Sequence, residues 1–434
     1  MRDTSRRGFL RMGGAGLIGL ASSGTRAATE PSPKNLPPTA ADPAQAAEDK
    51  TFWSAVAQLY DVPDGIVHLE HGNWGAMAHP VLASYQSRQA EINRDTAYYS
   101  RRLFGIEADA IRRRVARELG VEAEEIAFTR NATEALEALI GGYHRLGPGD
   151  AVLYSDLDYD SMQKAMRWLA KRRGVRIAKL DLPEPASTDA IVSAYARCLE
   201  EDPAIRLILL THVSHRTGLV LPVAKIVAMA RAADVDVIVD SAHAWGQIDF
   251  RLPDLAADFV GLNLHKWIGA PLGVGLMYVK RSRLDAIEPY MGEADNGRIT
   301  SRVRTGTINH AALLGVGPAL DMHECIGPAR KAARLKYLRN RWVSAVAQEL
   351  RLQVLTPDEP GLYAGITSFR LHDRRTPDAN VSLAATLLDE FGIFTVARTG
   401  LASGACVRVT PAVYTREADV DHLATALLKL SQRS

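Results

Sequence analysis

Cysteine is scarce in this chain: Cys198, Cys325 and Cys406 are its three thiols in 434 residues. Thiols so few and so spaced make neither a disulfide framework nor a structural metal site. No apolar run approaches the roughly 20 residues that cross a bilayer, which argues against stable membrane association. A charge excess is missing too, since 52 Lys and Arg face 50 Asp and Glu. That balance gives no reason to expect nucleic-acid binding. A dinucleotide fingerprint is absent from any βαβ context: Gly14-Ala15-Gly16-Leu17-Ile18-Gly19 has the spacing but no preceding strand. A calcium loop fails as well. Asp156-Leu157-Asp158-Tyr159-Asp160 opens like one, but Ser161 replaces the required glycine and Arg167 the closing glutamate.

What is present begins with an address. Ser5-Arg6-Arg7-Gly8-Phe9-Leu10-Arg11 matches the twin-arginine export pattern, a glycine-rich weakly apolar stretch follows, and Thr25-Arg26-Ala27 suits a signal peptidase. Residues 1–27 are therefore expected to be a signal peptide read by the twin-arginine machinery, and the folded protein to be periplasmic or exported. This leader holds five arginines and one aspartate, so a chain of formal charge +2 becomes −2 without it. Residues 28–50, rich in Pro and Ala, read as a linker. A chain of 434 residues has room for about two or three domains, and two are expected after the linker, at 51–310 and 311–434.

From Glu125 a strand–helix alternation sets in. Ile126–Phe128, Ala151–Ser155, Val175–Leu180, Ile205–Thr211, Val235–Val239 and Ala257–Leu264 read as buried strands, with helical segments between them. This predicts an α/β fold with a mostly parallel sheet covered on both faces. After about Ala311 the pattern changes to long helices, then short strands at Gly365–Leu371, Ile393–Val396 and Ala405–Thr410, and a final amphipathic helix: a smaller α+β unit. The basic residues from Lys331 to Arg341 read as a solvated helix surface, and Cys198 as buried.

Polar residues stand at five strand tips: Asn131, Tyr159, His215, Asp240 and Lys266. In open α/β sheets, ligands bind outside the carboxyl ends of strands, so five such tips imply one crevice. A carboxylate and a lysine delivered there suit pyridoxal phosphate. The lysine forms a Schiff base with the cofactor and the carboxylate keeps its pyridine nitrogen protonated.

The order Asn131-Ala132-Thr133, Tyr159, His212-Val213-Ser214-His215-Arg216-Thr217-Gly218, Asp240-Ser241-Ala242-His243-Ala244 and Asn263-Leu264-His265-Lys266-Trp267 resembles the fold-type I, class V aminotransferases. That group includes isopenicillin N epimerase and the cysteine desulfurases. The resemblance covers roughly residues 65 to 430. It implies that Lys266 holds the cofactor, that Asp240 meets the pyridine nitrogen with His243 nearby, and that Tyr159 stacks on the ring. Ala132, Thr133 and His265 are implied at the phosphate and His215 near the ring hydroxyl. Thr307, in Arg304-Thr305-Gly306-Thr307-Ile308-Asn309, is implied to reach the phosphate of a neighbouring subunit, hence a homodimer with shared active sites. Arg408 is implied to grip a substrate α-carboxylate.

The reaction is less determined. Transamination needs one base, Lys266, and is the first expectation, on an amino acid or an amino-acid group of a peptide-like metabolite. Epimerisation needs a second proton donor such as Tyr159 or His215. Desulfuration needs a mobile cysteine ahead of the carboxylate-binding arginine, yet Arg398-Thr399-Gly400 leads into Leu401-Ala402-Ser403. A non-catalytic binding protein has no need of Lys266, Asp240 and Arg408 together.

Overall fold

A computed structural model describes residues 35–433. The expected leader and the first part of the 28–50 segment lie outside the described residues. A short strand, β1 (Val67–His68), precedes seven strands of one sheet: β2 (Ile126–Thr129), β3 (Ala151–Ser155), β4 (Arg176–Leu180), β5 (Ile205–Thr211), β6 (Asp236–Ser241), β7 (Phe259–Asn263) and β8 (Gly275–Val279). Their spatial order is β2-β8-β7-β6-β5-β3-β4, and β8 alone runs against its two neighbours. Every residue of β3, β7 and β8 is buried, whereas β4 at the edge is largely exposed. Near-continuous apolar runs are what a parallel sheet with helices on both faces requires. The fold is thus an α/β fold around a mostly parallel central sheet.

A second sheet follows, made of β9 (Leu352–Val354), β10 (Thr367–Leu371), β12 (Val396–Arg398) and β13 (Cys406–Val409) in the antiparallel order β12-β13-β10-β9. Between its strands, β11 (Ile393–Phe394) pairs in parallel with β1. A bridge between Glu70 and Thr410 extends that contact. The segment ahead of the large sheet is therefore tied to β11 and to Thr410, the residue just past β13.

Two expectations are corrected. Within 28–50, Pro43–Ala47 is a helix, not linker: Asp42 caps it by accepting from the Gln45 amide, and Ala46 and Ala47 are buried. An Asp cap followed by Pro in the first helical position is a start signal. Trp53 Nε1 donates to the Ala46 carbonyl at 2.7 Å, and Arg334 Nη1 to that of Ala47 at 2.8 Å. The basic run on helix Pro328–Val346 is likewise not a solvated surface, because Lys331, Arg334 and Arg339 are all buried. Arg334 lies over the Trp53 ring and Arg339 over the Tyr363 ring, so long aliphatic stems pack while charged heads find acceptors. Cys198 is half-buried.

Candidate active site

The five strand tips meet. Asn131, Tyr159, His215, Asp240 and Lys266 line one cavity, with Ala132, Thr133, Thr211, His243, Asn263, His265, Arg398 and Arg408. Parallel pairing explains the convergence. Asp240 sits in register with Thr211 on β5 and with Gly261 on β7, and Lys266 follows β7 by three residues.

Lys266 is held through its backbone and its amine. The His265 carbonyl accepts from the Gly75 amide at 2.9 Å. Gly75 lies so close to the Lys266 carbonyl that a Cβ there would collide with it, which accounts for the glycine in the His71–Gly75 turn. Lys266 Nζ is 2.9 Å from His243 Nε2. Burial, and then the Arg408 cation, pull the amine down to about 7, while Asp240 and Glu70 act the other way. Burial pushes the Asp240 carboxyl up, opposed by the Ala242 amide, which donates to it at 3.0 Å, and by Lys266. Burial and the surrounding cations hold His215 and His243 well below the ordinary imidazole range. Tyr159 stands edge-to-face on His215, with centroids 5.0 Å apart.

At the helix Ala132–Gly142, Asn131 caps by accepting from the Glu134 amide at 2.8 Å. The Ala132 amide donates to Asn263 Oδ1 at 2.8 Å, so Asn263 ties the helix start to the end of β7. Thr133 lies in the first helical turn, where amides and the helix dipole suit an anion.

The class V aminotransferase family model matches residues 80–423. The chain belongs to this family. It is 30% identical over 335 residues to the isopenicillin N epimerase of Streptomyces clavuligerus, covering 73% of this chain and 82% of that one. It is 28% identical over 390 residues to a cysteine desulfurase of Yersinia pestis bv. Antiqua (strain Angola), covering 81% and 92%. An apo cysteine desulfurase structure from Thermococcus onnurineus NA1 superposes with a TM-score of 0.73 at 20% identity, covering 85% and 95%, a likeness of fold.

The cofactor of this family member is pyridoxal phosphate. The cavity fits it: a buried amine, a buried carboxylate and a helix N-terminus converge there. Among the described residues His215 Nδ1 and His243 Nδ1 are buried without a protein partner, as expected of atoms that face a polar ligand.

Thr307 is not brought to this cavity; it is exposed and lines a separate cleft with Arg304, Gly306 and Phe128. Cys406 is buried on β13, its sulfur 3.7 Å from the Arg216 carbonyl, and burial pushes its thiol up to about 11.

Three participants escape sequence reading. Glu70 forms a buried pair with Arg408, at 2.6 Å. Arg398 lines the cavity, and the β12–β13 register puts it on the same face as Arg408. Asp158 bonds the ends of two strands, accepting from the Thr211 amide at 2.8 Å and the Ser155 amide at 2.6 Å, and burial pushes its carboxyl up to about 7. Faint signals exist for two of them: a carboxylate beside the glycine turn for Glu70, and the failed calcium loop for Asp158.

Proposed function

We propose that this class V enzyme works at the Cα–H of an amino acid, or of an amino-acid group in a peptide-like metabolite, and that it is a transaminase. One observation carries the reading: a single buried amine, Lys266, held at about 7, in a cavity that also presents Arg398 and Arg408. A lysine lowered into this range is a general base near neutral pH. Lys266, Asp240, His243, Thr133 and the Tyr159–His215 corner would hold the cofactor. When bound, pyridoxal phosphate supplies an electron sink that makes the substrate Cα–H acidic. Lys266 would take the Cα proton on its amine and would return it to the cofactor's C4′ carbon, with His243 Nε2 as its hydrogen-bond partner at 2.9 Å. Arg398 and Arg408 with Glu70 carry one net positive charge, which suits one substrate carboxylate.

Epimerisation is the second reading. The likeness to isopenicillin N epimerase favours it, as does the presence in the same cavity of Tyr159 and His215, the residues that would supply a second proton. Against desulfuration stand the burial of Cys406 and its raised thiol.

The deciding experiment offers the purified protein L- and D-amino acids in heavy water. Keto-acid release with conversion of the cofactor to pyridoxamine phosphate supports the transaminase. Deuterium at Cα with loss of optical purity and no pyridoxamine phosphate supports the epimerase. Absence of any cofactor-derived absorption overturns both readings.

We further propose a homodimer in which Thr307 serves the neighbouring subunit's phosphate, and export through the twin-arginine route. A monomer in sedimentation, or a Thr307→Ala protein with unchanged cofactor affinity, contradicts the first. Cytoplasmic retention of the full chain contradicts the second.

A further inference from the structure

Arg216 has no role in the chemistry above, yet its side chain is 1% exposed. Its guanidinium reaches in two directions. Nη2 donates to Asp160 Oδ1 at 2.6 Å, and Nη1 donates to the Thr399 carbonyl. Each partner is the chain neighbour of a cavity residue: Asp160 follows Tyr159, Thr399 follows Arg398, and Arg216 itself follows His215. One planar cation therefore joins three segments that lie far apart in sequence. Its own carbonyl is fixed by Ser368 Oγ at 2.5 Å. The loop beyond Thr399 is held as well. The Ala402 amide donates to Asp156 at 2.9 Å, Ser403 Oγ donates to Glu184 at 2.7 Å, and Arg370 donates to the Ser403 carbonyl at 2.8 Å. Gly400 has φ +89°, and a Cβ there would strike the Arg216 guanidinium.

From this arrangement we propose that Arg216 is a positioning residue that sets Tyr159, His215 and Arg398 relative to one another without touching substrate or cofactor, a proposal that rests on reading the cavity as their site. The two arms have separate consequences. The Asp160 arm orients the Tyr159–His215 corner, and the Thr399 arm orients Arg398. Lysine keeps the charge but lacks the planar fork that serves two acceptors at once.

The test uses the cofactor-loaded protein with propionate as a carboxylate probe, binding being read from the cofactor's absorption. Arg216→Lys is expected to retain cofactor and melting temperature while its propionate Kd rises about tenfold or more. Asp160→Asn, which removes an exposed partner, is expected to shift the pH titration of the cofactor band and to leave the propionate Kd within about twofold. Wild-type propionate affinity in Arg216→Lys overturns the proposal. So do changes in both variants that merely track a lowered melting temperature, since a structural strut would give that pattern. A wild-type protein whose cofactor band ignores propionate overturns the underlying site reading, and this proposal with it.

Discussion

Arg408 Nη2 lies 2.6 and 2.7 Å from the two carboxylate oxygens of Glu70, while its Nη1 donates to the His215 carbonyl at 2.6 Å. The arginine implied to meet a substrate carboxylate therefore already carries a protein one. Arg398 stands 3.4 Å from the same glutamate and is far more exposed, its side chain at 28% against 1% for Arg408. A substrate carboxylate entering this cluster meets two cations of which one anion already offsets a single charge.

Breaking the pair from one side leaves a buried ion uncompensated. Glu70→Ala is expected to lower stability by about 3–5 kcal/mol. The double variant Glu70→Ala/Arg408→Ala should lose less than the sum of its singles, because the two sites are coupled. Urea midpoints on the cofactor-free protein measure this. Strict additivity would mean that the pair contributes no coupling.

Lys266→Ala should reduce Cα–H exchange by about a hundredfold or more, the range over which positioned general bases act. The cofactor should wash out on gel filtration, since no covalent bond retains it. The fold should survive, because the Ala242 amide still donates to Asp240 and Glu70 keeps Arg408 when the amine is gone. Unchanged deuterium exchange at the substrate Cα would remove Lys266 from the base role.

Stability should depend on pH in a stated direction. Lys266 and Lys331 are both held at about 7, with burial the largest cause. Their unfolded value is about 10.4. Between about 7 and about 10 the unfolded chain binds more protons than the folded one, so stability of the cofactor-free protein rises with pH there. Each group contributes up to about 1.4 kcal/mol per pH unit. Below about 7 both states are protonated and the penalty is constant. Lys331→Met should flatten the slope, since Lys331 Nζ sits between the Trp267 carbonyl at 2.8 Å and His323 Nδ1 at 3.1 Å. A flat profile in the unmodified protein would show that neither amine is desolvated.

How far these features could be read from sequence depended on the distance that carries each. Asp240 and Lys266 were legible because each stands at a strand's carboxyl end and the two strands are neighbours. Strand-to-strand logic then put them in one crevice. Glu70 was not legible, because its contact with Arg408 depends on a bridge to Thr410 across the whole chain. Arg398 needed the β12–β13 register, which no periodicity within either strand specifies. Lys331, Arg334 and Arg339 looked solvated because basic residues usually are. Their burial depends on partners as remote as Trp53, Trp267 and Tyr363.

Cys406 separates the reaction classes most cheaply. A thiol pushed up to about 11 is almost wholly protonated at neutral pH, and the thiolate is the nucleophile. Its sulfur faces the Arg216 carbonyl at 3.7 Å and it does not line the cavity that holds Lys266. Cys406→Ser replaces the sulfur with an oxygen that can donate to the same carbonyl, so the packing is nearly kept. Such a variant should retain Cα–H exchange within about twofold, a change worth about 0.4 kcal/mol. A folded, cofactor-loaded Cys406→Ser protein without activity would instead mean that β13 moves to expose the thiol, and desulfuration would displace transamination as the better reading.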